Sequence, residues 1–229
     1  MLNYQDMDKY ILIVAGGKGI RMKSELPKQF VELNGMPLVM RTIDAFSVDH
    51  QIDQITMVIP NGYLSYWKEL CEKHHFSTAL NIIEGGPQRY HSVKRGLSMV
   101  PGNALVAIHD AVRPFVSKEL IKKGFDIAAK KGNAIPVLAV SESIREVSGS
   151  LSKAVNRDQY KSVQTPQFFH ASLIKNAYQQ PFNEWFTDDA TVLELSGQQV
   201  YLFDGDPSNI KITTPEDLLI AEAILRSSS

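Results

Sequence analysis

Largely apolar runs of strand length recur along the chain and alternate with segments of helical period. YILIVA at 10–15, ITMVI at 55–59, LNIIE at 80–84, ALVAIHD at 104–110 and NAIPVLAV at 133–140 have the near-continuous apolar character of strands buried on both faces. Between them the spacing predicts helices at 37–46, 61–75 and 89–100. A further helix, capped by Ser117, runs through Lys131 with Leu120, Ile121, Phe125 and Ala128 on one face. Near the end, TTPEDLLIAEAIL carries a strong start signal. Thr214 is the cap, Pro215 suits the first turn, and Glu216 and Asp217 lie at the positive end of the helix.

Alternating strands and helices predict an α/β fold, a Rossmann-like, doubly wound and mostly parallel sheet covered on both faces. Ligands of such sheets bind beyond the carboxyl ends of the strands. The segments 15–28, 85–92 and 110–114 each follow a predicted strand, so they are expected to meet at one sheet edge. Residues 141–163 break the rhythm: SIREV and SKAVNR read as two short strands around a turn at Gly149. This β-arm either reaches a second subunit or folds back as a local flap. The 229 residues suit one domain that includes the arm.

Composition narrows the function classes. A net charge of −1 gives no global attraction to nucleic acid or anionic lipid, so no nucleic-acid or membrane partner is expected. The one cysteine, Cys71, lies in a helical pattern and has no second cysteine to pair with, which suits a reducing compartment. The opening MLNYQDMDKY lacks the basic-then-apolar order of a secretion signal, and a cytoplasmic location is expected.

AGGKGIRMKSELPKQF, at 15–30, raises the question of chemistry. A dinucleotide fingerprint requires a third glycine where Met22 stands, and an acidic residue at the end of the second strand. The nearest candidate, Asp44, falls within a helical pattern. A P-loop requires Ser or Thr after its lysine, and Lys18 is followed by Gly19. What remains is a glycine turn, Gly16, Gly17 and Gly19, whose amides can cradle phosphates, followed by Arg21 and Lys28. The plainer reading is a βα turn with solvated cations.

Other segments add to it. GGPQRYHSV at 85–93 offers a second glycine turn with Arg89 and Ser92. HDAVRPFV at 109–116 places Asp110 at a strand end beside Arg113. Asp110 can hold Mg²⁺ between phosphate oxygens or simply pair with Arg113. Lys211 precedes the last helix, and FTDDATVLE at 186–194 opens another helix with acids that complement its dipole.

Together, AGGKGIRM, PKQF, GGPQRYHSV, HDAVRP, QTPQFF, TDDATVLE and GDPSNIKITTPEDLLIAEAIL occur in order over nearly the whole chain. In this ordered set the sequence closely resembles the 2-C-methyl-D-erythritol 4-phosphate cytidylyltransferases of the non-mevalonate isoprenoid pathway. The resemblance implies a nucleotidyltransferase domain of nucleotide-diphospho-sugar transferase type, a homodimer through the β-arm, and Mg²⁺ as cofactor. CTP and methylerythritol phosphate would be the substrates, and the CDP-linked alcohol and pyrophosphate the products. By motif, Arg21, Lys28, Lys211 and the metal-binding Asp110 match the family's catalytic residues. Ala15, Gly16, Gly17, Gly19, Gly86, Arg89, Ser92 and Ala111 match its nucleotide site. Arg113, Thr187, Ser143 and the arm's Arg157 match its second-substrate site. The chain departs from the family pattern at Ser141-Glu142-Ser143, at Pro87 and at Val112, without loss of a charged group. Ribitol-5-phosphate cytidylyltransferase is the alternative enzyme, and a nucleotide-binding regulator without catalysis the alternative class.

Overall fold

The computed structural model describes residues 7–16, 27–47 and 52–227. Strand β1 (Lys9–Val14) precedes a 3₁₀ turn at Lys28–Phe30. The short strands β2 (Glu32–Leu33) and β3 (Met36–Pro37) follow, and then helix α1 (Leu38–Ser47). The β2–β3 hairpin turns at Asn34-Gly35, both at positive φ (51° and 76°). A two-residue turn needs this backbone to match strand twist, and Asn-Gly tolerates it.

Strand β4 (Gln54–Ile59), α2 (Leu64–Lys73), β5 (Asn81–Glu84), α3 (Arg89–Leu97), β6 (Leu105–Asp110), α4 (Lys118–Lys131) and β7 (Asn133–Ala139) continue the alternation. The arm is β8 (Arg145–Ser148) with β9 (Leu151–Ala154), turning at Gly149 with φ 57°. Strands β10 (Lys161–Val163) and β11 (Gln167–His170), helices α5 (Ala171–Ala177) and α6 (Asp189–Leu195), strand β12 (Leu202–Asp204) and helix α7 (Pro215–Ser227) complete the chain.

The fold is the expected α/β arrangement. β6, β1, β4 and β5 run parallel in that order, and β12 runs parallel to β7. The sequence reading lacked β10, β11 and β12. β11 lies between β6 and β7 and is antiparallel to both, and β10 pairs antiparallel with the far half of β7. A four-residue strand such as QFFH carries too little periodicity to show itself; its pairing partners, more than thirty residues away in sequence, define it. The predicted helix at 61–75 is shorter, Leu64–Lys73, and the one at 37–46 starts after Pro37, which belongs to β3. Ser117 Oγ accepts the amide of Leu120, and Thr214 Oγ1 accepts that of Asp217, so both predicted caps form. Among the described residues no helix is long and apolar enough to cross a membrane.

Two cores cover the sheet. Alternate β1 residues feed opposite sides: Ile11 and Ile13 pack with Phe46, Trp67, Phe125 and Phe168, whereas Leu12 and Val14 pack with Val93, Leu97, Phe169 and Ile174. Every residue of β6 is buried, as the centre of a two-sided sheet requires. Its last residue is Asp110, so the innermost strand delivers a carboxylate to the sheet edge.

Phe168 anchors the odd strand. It is fully buried, meets Phe125 edge-on at 5.0 Å between centroids, and faces Gly124, where any Cβ would fall 2.1 Å from its ring. Phe168→Ala is expected to lower the unfolding free energy by about 3–5 kcal/mol. A urea midpoint near wild type would show that β11 is held by something else.

Candidate active site

At the carboxyl edge of the sheet, three cations surround the buried Asp110. Lys211 Nζ lies 2.9 Å from Oδ2, Arg113 Nε 3.4 Å from Oδ2, and Arg89 Nε 3.8 Å from Oδ1. Burial disfavours the charge on Asp110, but Lys211, Arg89 and Arg113 outweigh it and hold the carboxyl well below the usual range. The site therefore holds a carboxylate that its neighbouring cations keep ionised.

Two of those cations are fixed by further bonds. Arg113 donates Nη1–H to the carbonyl of Asn209 at 2.8 Å. Arg89 turns the open end of its guanidinium to Asp189: Nη1 to Oδ1 at 2.9 Å and Nη2 to Oδ2 at 2.6 Å. Asp189 has no exposed surface and also accepts the hydroxyl of Tyr178 at 2.6 Å. Burial works against the charge on Arg89, but Asp189 and Asp110 more than offset it. Asp188 caps α6 by accepting the amide of Thr191 and also receives Gln167 Nε2–H at 2.7 Å.

The turn behind Asp110 is fixed by a chain of bonds. The Asp110 amide donates to Thr165 Oγ1, which lies 3.1 Å from His109 Nδ1, and His109 Nε2 lies 2.9 Å from the carbonyl of Arg113. A neutral His109 protonated at Nε2 satisfies every partner: Thr165 donates to Nδ1 and Nε2–H donates to Arg113 O. Burial is the main cause that brings the His109 pKa down from 6.5 to about 4.

Three adjoining cavities share this edge. One of about 310 Å³ is lined by Arg113, Thr187, Asp188, Thr191 and Lys211, among others. A second, of about 190 Å³, is lined by Ala15, Gly16, Lys28, Gln29, Ala111 and Lys211. Arg89 and Asp110 line both. The third, about 590 Å³, lies over Gly16, Tyr63, Gly86, Arg89 and Ser92. Ser92 Oγ accepts the amide of Gly86 and sits where a Cβ on Gly85 would come within 2.6 Å, so a larger residue there would have to displace the Ser92 hydroxyl. The buried Gln29 Nε2 and Asn209 Oδ1 have no hydrogen-bond partner.

Of the residues singled out in the sequence, Ala15, Gly16, Lys28, Gly86, Arg89, Ser92, Asp110, Ala111, Arg113, Thr187 and Lys211 line these cavities. Gly17, Gly19 and Arg21 lie outside the described residues. Ser143 and Arg157 are on the exposed arm, line none of these cavities, and Arg157 bonds the carbonyl of Ser141. Sequence reasoning missed Asp189, His109 and Thr165 as parts of the site. Asp189 looked like a dipole-complementing acid at a helix start, because its partner Arg89 is 100 residues away.

Residues 10–227 match the model of the family described as "IspD: 2-C-methyl-D-erythritol 4-phosphate cytidylyltransferase". A protein of that name from Bacteroides fragilis is 51% identical over 219 residues, covering 96% of this chain and all of its own length. One from Porphyromonas gingivalis W83 is 44% identical over 223 residues, covering 97% of this chain and all of its own. Among solved structures, the 4-diphosphocytidyl-2C-methyl-D-erythritol synthase of Anaerococcus prevotii superposes with a TM-score of 0.81 at 30% identity, covering 96% of each chain.

The neutral, buried His109 sets an acid limit. The unfolded chain takes up its proton near 6.5, but the folded chain resists until about 4. Its contribution is thus complete above the upper value and is lost as pH falls toward the lower one, in total about 3 kcal/mol. Urea unfolding across that window is expected to show this fall in wild type and a flatter profile in His109→Gln. Equal slopes in both proteins would contradict a neutral buried imidazole.

Proposed function

We infer the chemistry from one premise: the chain belongs to the 2-C-methyl-D-erythritol 4-phosphate cytidylyltransferase family. It is a nucleotidyltransferase that moves CMP from CTP to 2-C-methyl-D-erythritol 4-phosphate. An oxygen of the alcohol phosphate forms a bond to the α-phosphorus of CTP, the bond to the β-phosphate oxygen breaks, and pyrophosphate leaves. The observation that carries the residue assignment is the cation-ringed Asp110 at the junction of the cavities.

The attacking group is already an anion, so the reaction needs no strong base. Its barrier lies in bringing two anions together and in the charge that grows on the leaving pyrophosphate. In our reading Lys28 and Lys211 face the triphosphate and offset that charge, and Arg21 is assigned the same role by its motif alone. Gly16, Gly86 and Ser92, with Ala15 and Ala111, take the cytidine end, and Gly17 and Gly19 are assigned to phosphate binding by motif alone. Arg113 and Thr187 receive the alcohol phosphate in the cavity of about 310 Å³. Arg89, with its fork committed to Asp189, contributes charge from a fixed position and does not grip phosphate with both arms.

The donor set fits magnesium, which is typically bound by one or two carboxylates plus substrate phosphates. Asp110 would hold it, and no cluster of three or more acidic, histidine or cysteine side chains occurs among the described residues. When bound, Mg²⁺ neutralises charge on the phosphate oxygens. The deeply ionised state of Asp110 supports this role.

We further propose a homodimer. All four residues of β8 and all four of β9 are exposed, including Val147 (70%) and Leu151 (74%). An isolated two-stranded hairpin is marginal in water. A second copy of the chain covering the arm would bring Ser143 and Arg157 to its site. The unpaired Cys71 and a family role in precursor synthesis support a cytoplasmic location.

Pyrophosphate release from CTP is expected with methylerythritol phosphate and not with ribitol 5-phosphate. Lys28→Ala is expected to lose about 100-fold or more in turnover, the size of one lost oxyanion donor, while melting as wild type does. Preference for ribitol 5-phosphate would overturn the substrate assignment, and near-normal turnover of Lys28→Ala the catalytic one.

A further inference from the structure

We propose that Asp189 is a positioning residue for the transfer reaction: it holds Arg89 with its Nε edge toward Asp110 and thereby links the nucleotide half of the site to the alcohol-phosphate half. The inference rests on the reading of the site given above.

Arg89 opens α3, directly after the Gly86 turn. Asp189 opens α6, directly after Thr187 and Asp188, which line the cavity containing Arg113. The two bonds between them, at 2.9 and 2.6 Å, use both ends of the carboxylate and the whole outer edge of the guanidinium. This fork-to-fork geometry fixes the plane of the arginine as well as its position. Once the outer edge is committed, Nε is the remaining edge, and it faces Asp110 Oδ1 at 3.8 Å. Tyr178 removes the last freedom by donating to Asp189 Oδ1 at 2.6 Å, and its own ring stacks on Tyr90 of α3 at 4.9 Å between centroids. Both helix starts are therefore fastened to one buried carboxylate.

A fixed cation at this place has a chemical purpose. Without Asp189, the long Arg89 side chain would be free to swing its fork onto Asp110 or onto the triphosphate. Either movement changes the field at the reacting phosphates, and small misplacements in such sites have large rate effects. Asp189 touches neither cavity's substrate space directly, so its influence passes through Arg89.

The test is a double-mutant cycle on the full-length enzyme, read by steady-state turnover and by both KM values, with thermal melts as the folding control. Asp189→Asn and Arg89→Gln are each expected to lower kcat by about tenfold or more. The pair Arg89→Gln/Asp189→Asn is expected to be no slower than the slower single variant, because removing the clamp matters only while its arginine is present. The double variant also leaves no uncompensated buried charge, so it remains informative if Asp189→Asn alone unfolds. Multiplied losses in the double variant would overturn the proposal, since Asp189 would then act by another route. So would an Asp189→Asn enzyme that melts earlier but turns over within about twofold of wild type below its melting point, which is the mark of a purely structural ion pair. Failure of the underlying reading is separate: wild-type enzyme would release no pyrophosphate from CTP with methylerythritol phosphate.

Discussion

A single buried carboxylate organises this protein's edge chemistry. Asp110 ends the innermost strand, where hydrophobic packing on both faces fixes the backbone. A charge left there alone would be strongly disfavoured, so it has to be surrounded by opposite charge. Each cation that answers it comes from a different part of the chain: Arg89 from the start of α3, Arg113 from the following turn, Lys211 from the approach to α7. The ring thus ties three segments to one point, and those segments supply walls of the cavities.

The same constraint explains why the inserted strand matters. β11 runs against its neighbours, and the residues just before it, Gln164 and Thr165, bond to the Asn209 segment and to the backbone of Asp110. Gln167, at its start, bonds to Asp188 and to the amide of Ala190. The odd strand is thereby the bracket between the Asp110 turn, the start of α6 and the segment that carries Lys211.

Much of this was readable from residues alone. β1, β4, β6 and β7 appeared as apolar runs because both their faces are covered, whereas β5, expected to be buried on both faces, is the sheet's edge strand and has no fully buried residue; the caps at Ser117 and Thr214 follow from local hydrogen bonding. The meeting of 15–28, 85–92 and 110–114 at one edge followed from strand direction, and it holds for the parts of those segments that are described. What local pattern could not reveal was any feature defined by distant pairing. The short strands β10, β11 and β12 have no period of their own. Asp189 takes its meaning from an arginine 100 residues away, and His109 takes its neutral state from burial and its tautomer from Thr165 and the Arg113 carbonyl. Ser143 and Arg157 line none of the cavities of their own chain.

Asp110→Asn is the decisive variant, because it removes the charge and keeps the shape. A folded protein is expected whose kcat/KM for CTP transfer falls by about 100-fold or more, the loss that follows when a preorganised charge is withdrawn from the reacting phosphates. A folded Asp110→Asn enzyme with nearly wild-type kcat/KM would contradict it, and would reduce the carboxylate and its ring of cations to a structural device.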